Sequence, residues 1–335
     1  MSRPDSRGVP PASRRTLMRW LAFVLAVSLV TAALFALARA GGGSGLSDAV
    51  ARLRAAPPAL PALLFAITTA GPLLTAASFW VLTARYGRVG YAEMTALISV
   101  SWLLNFLPIR PGLFGRLAYH RTVNGIPLAQ SVRAVIWANV LSMAAAAGML
   151  ALLAVLSLFF AGDDMRLAAL ALFPVPVLGF LAFAAHRRRP APDPEVWRPI
   201  LVLALRLLEL HLNAARLSVS FAIFGQPIGW GGAIALASIT TIAGMIAVTG
   251  NGVGIREWLV ALAAPLLPLR LRTFAAVSLD LTLASQLAVL AVELMVAIPM
   301  GGLCALMLWR RARAAKPDGV RSTEARGMQD QLSAP

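Results

Sequence analysis

Apolar runs long enough to cross a membrane recur along this chain, and they constrain its fold more than any other feature. They cover residues 20–38, 59–83, 134–160, 167–185, 199–224, 230–248 and 274–309. About 20 such residues in a helix cross the hydrocarbon core of a bilayer. No polar stretch between them reaches the length of a soluble domain, and the longest is the tail at 310–335. Composition agrees, with 59% apolar residues and a mean hydropathy of +0.76. The expected fold is an all-α polytopic membrane protein. It has a basic cytoplasmic tail over residues 1–18, a transmembrane domain over 19–309 and a disordered basic cytoplasmic tail over 310–335.

The net charge of +16 is carried almost wholly by arginine, Lys316 being the one lysine. These cations are scattered through short loops and tails instead of forming a patch, so they argue for topology and against nucleic acid. In a membrane protein they mark cytoplasmic loops first and anionic lipid headgroups second. The single cysteine, Cys304, excludes an intrachain disulfide or thiolate metal site. Arg14, Arg15 and Arg19 precede the first apolar run, and Ala38-Arg39-Ala40 resembles a signal-peptidase site. That run exceeds the roughly 7–15 residues of a signal peptide, so an uncleaved first helix is expected.

Loop charges then test the crossings. Arg3, Arg7, Arg14, Arg15 and Arg19, the Arg187-Arg188-Arg189 loop, and Arg310, Arg311, Arg313 and Lys316 belong inside. Asp163, Asp164 and the turn at 225–229 belong outside. A full span over 92–108 would put Arg110, Arg116, Arg121 and Arg133 outside and reverse every later loop. The signs are repaired if 92–107 enters from the cytoplasm, breaks at 108–115 and returns over 113–122. A second hairpin is then needed from the outer face, with 230–248 entering, a break at 249–254 and 255–267 returning. Six full spans and two re-entrant hairpins result, with Arg270 and Arg272 left on the outside against the rule. Broken backbone at membrane depth must be buried in protein or line a wet cavity. Two breaks of opposite orientation in matching positions point to an inverted repeat with its site at the repeat interface.

The first break reads NFLPIRPGLFGRLAYH, residues 105–120, and sets Pro108, Pro111, Gly112 and Gly115 among Arg110, Arg116 and His120. The second reads TGNGVGIREW, residues 249–258, with Gly250, Gly252 and Gly254 around Asn251, then Arg256-Glu257. Pro108-x-Arg110-x-Gly112-x-x-x-Arg116, followed by Asn124-Gly125-Ile126, resembles the first signature of the flippase-like family of integral membrane proteins. That family includes the transmembrane region of lysylphosphatidylglycerol synthetases. Residues 250–257 resemble its second, glycine-rich signature ending in Arg-Glu. The resemblance spans about residues 15–310. It departs from the family where Leu113 follows Gly112 in place of an acidic residue, and where Gly250 stands for proline. It implies a lipid-translocating membrane domain without the soluble aminoacyl-transferase domain.

Arg206, Glu209, Asn213 and Arg216 are spaced by three, four and three within one run, which places them on one helix face. Arg206 and Glu209 are an i,i+3 pair, leaving Arg216 for an anionic substrate, for a structural seam or for snorkelling to the interface. His211 lies off that face and reads as a packing histidine. Glu293 shares a face with Gln286 and would either take part in proton coupling or pair with an arginine. Trp80, Trp102, Trp197, Trp230 and Trp258 read as interface anchors. Arg110, Arg116, Arg256 and Glu257 are the sharper candidates. Guanidinium groups beside freed N–H groups and half-helix N-termini make a trap for phosphate, although Arg110 and Arg116 also suit the role of topology charges.

The sequence carries no zinc-protease, Walker or nucleophile-elbow motif, so neither catalysis nor a cofactor is expected. The leading expectation is binding and transbilayer movement of an anionic or phosphate-bearing lipid in the bacterial inner membrane, with both termini cytoplasmic. The alternatives are a membrane enzyme acting on a lipid phosphate or polyprenyl phosphate, and an accessory subunit of an envelope-lipid pathway. The protein partners left open are a second copy of the chain and an envelope-lipid enzyme.

Overall fold

A segment surrounded by hydrocarbon must close its own backbone hydrogen bonds, and a helix does this without help from neighbours. The computed structural model describes residues 45–107, 110–159, 194–246, 252–263 and 279–314, with isolated positions between 24 and 39 and between 174 and 181. All elements delimited among them are helices: α1 (Gly45–Ala55), α2 (Ala59–Thr83), α3 (Tyr91–Leu104), α4 (Pro111–Thr122), α5 (Leu128–Phe159), α6 (Pro194–Ile223), α7 (Trp230–Ile246), α8 (Ile255–Ala263) and α9 (Leu279–Ala314). Three stretches are long and apolar enough to cross a membrane: Ala59–Thr83, Leu128–Leu156 and Leu279–Arg313. α6 has the length, at 30 residues, but carries Arg206, Glu209 and Arg216 in its middle. Apart from isolated positions, the expected spans at 20–38 and 167–185 lie outside the described residues. So do the 1–18 tail, Asp163, Asp164, the Arg187–189 loop, Arg270 and Arg272. α9 continues helical to Ala314, so residues 310–314 are not part of a disordered tail, and 315–335 lie outside the described residues.

The charged helix is the central one. α6 touches α2, α5, α7 and α9. On one side Leu207, Leu210, Ala214 and Phe221 pack against Met149 and Leu153 of α5 and Ile234 and Leu236 of α7. Val202, nearer its start, joins Phe79 and Leu82 of α2 and Met94 and Ile98 of α3. The polar face of α6 is thereby turned inward. At its far end Phe224 O accepts a 3.1 Å bond from Arg52 of α1, and Ser220 Oγ donates to Ser285 O of α9 at 2.8 Å.

α3 and α4 form an antiparallel hairpin. At its base Asn124 Nδ2 donates to Glu93 Oε1 at 3.1 Å, and Arg311 from the end of α9 reaches Glu93 at 3.3 Å. Near the tip Ser101 Oγ donates to Gly112 O at 2.9 Å. A Cβ on Gly112 would collide with the backbone of Ser101, so only glycine lets the arms close. The arms have 14 and 12 residues, roughly 21 and 18 Å at about 1.5 Å per residue, short of a hydrocarbon core of about 30 Å. The break is narrower than the expected 108–115. α3 ends at Leu104, and Pro111 is the first residue of α4 with Gly112 and Gly115 inside it. Proline is tolerated there because the N–H it lacks would have had no helical partner. Pro108 lies outside the described residues. Arg110 caps α4 with φ 50° and ψ 57°, a left-handed conformation that is strained for a residue with a side chain.

α7 and α8 pack as a second hairpin, and α8 lies against α9. Ala261 of α8 meets Leu283 near the start of α9, so this hairpin opens toward the end of the bundle opposite to the first. Gly250 and Asn251 lie outside the described residues. Gly252 and Gly254 have φ of 72° and 84°, which glycine adopts freely. Glu257, in the first turn of α8, accepts the Gly254 N–H at 2.6 Å and caps the helix. The two tips meet: Arg110 Nη2 donates to Gly244 O in the last turn of α7 at 2.5 Å, where a helix C-terminus favours a cation.

Candidate functional site

A cavity of about 360 Å³ and an adjoining one of about 340 Å³ lie where the hairpin tips meet α2, α6 and α9. They share Arg110, Glu209, Arg216 and Arg256 in their walls and form two lobes of one chamber. Each lobe is in the size range of a small-molecule site, about 300–1,000 Å³. Ser101, Asn105 and Leu113 of the first hairpin line only the first lobe. Thr240, Thr241 and Met245 of the second hairpin line only the second lobe. Among the described residues five guanidinium groups face the chamber, those of Arg110, Arg116, Arg206, Arg216 and Arg256, against two carboxylates, Glu209 and Glu293.

The expected pair on α6 forms: Arg206 Nη1 binds Glu209 Oε2 at 2.5 Å. Thr75 Oγ1 donates to the other carboxylate oxygen at 2.6 Å, so Glu209 is held from two sides. Arg216 is not left open. It is paired with Glu293, which also takes both prongs of Arg256 at 3.1 and 2.8 Å. Arg256 Nη2 adds Glu257 Oε1 at 3.1 Å. Two cations and two carboxylates thus form a closed quartet joining α6, α8 and α9. Glu257 is only 1% exposed and supports the wall from behind, its carboxylate spent on Arg256 and on the cap of α8.

Arg116 differs from these. It is 7% exposed, and among the described residues no carboxylate lies within ion-pairing distance of it. Its guanidinium lies 3.8 Å from the centre of the Phe79 ring, and that of Arg206 lies 5.4 Å from the same ring. A ring face steadies a cation by about 2 kcal/mol when water is excluded. A buried charge without a counterion costs several, and an anion in the chamber would supply what Phe79 cannot.

Phe79, Thr75 and Asn139 line the chamber and were not singled out from the sequence. Thr75 and Asn139 had a signal, each being a polar side chain inside an apolar run; Phe79 had none. Trp102, expected as an anchor, also lines the first lobe. His211 is a packing residue as expected, with Nδ1 bonded to Leu207 O at 2.7 Å. His120 is buried at the hairpin base and faces Asn124 Oδ1 at 3.2 Å. Among the described residues no cluster of His, Cys, Asp and Glu has a metal-binding arrangement. Compared with known proteins, the sequence matches no family model and no curated sequence.

Proposed function

We propose that the protein binds the phosphate-bearing headgroup of an anionic lipid in this chamber and carries it between the leaflets of a bacterial inner membrane. The observation that carries this reading is Arg116, a buried cation with no carboxylate in reach among the described residues, on the wall of a chamber where those residues place five guanidiniums and two carboxylates. Bidentate donors of this kind suit phosphate oxygens. The two lobes support a path. One is bounded by the first hairpin and one by the second, with Arg110, Arg216 and Arg256 between them. In this reading both hairpins are re-entrant, six helices span the membrane, and both termini are cytoplasmic. The headgroup enters beside α3 and α4, rests against Arg116 and leaves beside α7 as the hairpins rock about their tips. Likeness of the two breaks to the flippase-like signatures points the same way.

The test is transbilayer movement of labelled phosphatidylglycerol in reconstituted vesicles. Wild-type protein is expected to accelerate it over empty vesicles. Arg116→Gln should slow it by about tenfold or more, the equivalent of about 1.5–3 kcal/mol for bonds to a charged group. Arg116→Lys should restore only part, since a point charge lacks the planar fork. Movement undiminished in correctly inserted Arg116→Gln protein would overturn the reading. Chemically altered lipid recovered from the vesicles would favour a membrane enzyme instead.

A further inference from the structure

A second arginine cluster lies apart from the chamber and shares no wall residue with it. Leu82 and Arg85 at the end of α2, Arg133 and Trp137 of α5, and Arg198 and Pro199 of α6 enclose a pocket of about 100 Å³. That is room for one phosphate-sized group. The turn after α2 and the helices α5 and α6 each supply one guanidinium, and none of the described lining residues is acidic. Like charges brought together in this way repel unless something between them is negative. Two of the three guanidiniums rest on rings, Arg85 at 4.4 Å from the centre of Tyr86 and Arg198 at 5.6 Å from that of Trp197. Arg198 Nη1 is buried and has no hydrogen-bond partner among the described residues.

The surface beside the pocket says what the anion is attached to. Arg133, Ile136, Trp137 and Val140 fall at spacings of three, four and seven on α5, one face of the helix. Ile136, Trp137 and Val140 are 56%, 39% and 51% exposed. An arginine pocket thus sits beside an uncovered apolar stripe that includes a tryptophan, a residue enriched at membrane interfaces. The stripe belongs to a helix apolar and long enough to cross a membrane. A free phosphate ion would use the pocket and leave the stripe bare, whereas a phospholipid uses both.

We propose that Arg85, Arg133 and Arg198 form a second, peripheral site for an anionic phospholipid. Its phosphate sits between the three guanidiniums, and its acyl chains run down Ile136 and Val140. Basic pockets between helices at the cytoplasmic edge are suited to such headgroups. The site does not depend on transport through the chamber.

Native mass spectrometry of the full chain in detergent, titrated with phosphatidylglycerol, phosphatidylcholine or inorganic phosphate, tests this. The variants are Arg85→Gln/Arg133→Gln/Arg198→Gln and, separately, Arg116→Gln in the chamber. Loss of one phosphatidylglycerol adduct from the triple variant, with about tenfold weaker binding, is the expected result. Arg116→Gln should keep that adduct, so failure of the chamber reading leaves this one standing. Phosphatidylcholine should bind more weakly than phosphatidylglycerol. If the triple variant cannot be purified folded, Arg133→Gln alone, at an exposed position, should weaken the adduct several-fold. Unchanged phosphatidylglycerol binding in the triple variant, or in Arg133→Gln where that stands in for it, overturns the site. Triad-dependent retention of inorganic phosphate, without preference for the lipid, overturns the lipid as its occupant.

Discussion

The two hairpins meet tip to tip, yet they treat their arginines in opposite ways. Arg256 in the α7–α8 hairpin is enclosed by Glu257 and Glu293 and shares Glu293 with Arg216. Arg116 in the α3–α4 hairpin is as deeply buried and has a phenyl ring in place of a carboxylate. The backbones differ in the same sense. Glycines supply the positive φ of the second break, while the first places Arg110 itself in the left-handed region. Strain of this kind persists only where surrounding structure holds it, and it gathers at ligand clamps. One hairpin is electrostatically complete as it stands; the other keeps a buried cation that, among the described residues, meets a ring and no carboxylate.

Glu293→Ala should produce the largest effect, because it opens the complete side. Arg216 and Arg256 would be left with Glu257 alone, an uncompensated buried cation costing about 3–5 kcal/mol, read as a lower unfolding midpoint in detergent. Arg116→Gln should cost the empty protein little or raise its midpoint, since it removes a buried cation that has no carboxylate partner among the described residues. If both substitutions destabilise equally, the asymmetry between the hairpins is lost.

The next effect is steric. Gly112→Ala drives a methyl into Ser101 and should cost about 1–3 kcal/mol, as for overpacking. Gly115→Ala, three residues on in the same helix with open space around it, should stabilise by roughly 0.5–1 kcal/mol. A loss at Gly115 as large as at Gly112 would mean that the close approach of Gly112 to Ser101 is not what sets the cost.

Smaller still is the pair on α6. Glu209→Ala alone strands Arg206, whereas Arg206→Ala/Glu209→Ala removes both charges, so the double variant should melt above the single one. The gap is expected to be about 1–2 kcal/mol, because Glu209 is only partly buried. A double variant less stable than the single one would show that Arg206 is steadied mainly by Phe79.

These contrasts also mark what the sequence can and cannot carry. Proline and glycine clusters amid loop charges pointed to an interruption near Pro111 and to the glycine turn at Gly252 and Gly254, since breaker chemistry and charge are local. The Arg206–Glu209 bond was legible from i,i+3 spacing for the same reason. The edge of the first break was not, because proline ends a helix and begins one equally well. Arg216 was open in the sequence and is closed in the fold by Glu293, 77 residues away; no local spacing predicts a partner at that distance. Glu257 reads as a wall carboxylate beside Arg256, and only the φ of Gly254 turns it back to cap α8. Phe79 is one phenylalanine among 14, and its place under Arg116 depends on how α2 and α4 pack.

The most direct test of the central claim is the shift in unfolding midpoint on adding a water-soluble phosphatidylglycerol analogue, compared between wild type and Arg116→Gln. A ligand that binds the folded state raises the midpoint by an amount set by its concentration over its dissociation constant. The account predicts that Arg116→Gln leaves the midpoint of the empty protein unchanged or higher and removes most of the ligand-induced shift. An Arg116→Gln protein that melts lower when empty, yet keeps the full shift with ligand, would show that Arg116 holds the helices together and does not hold the headgroup.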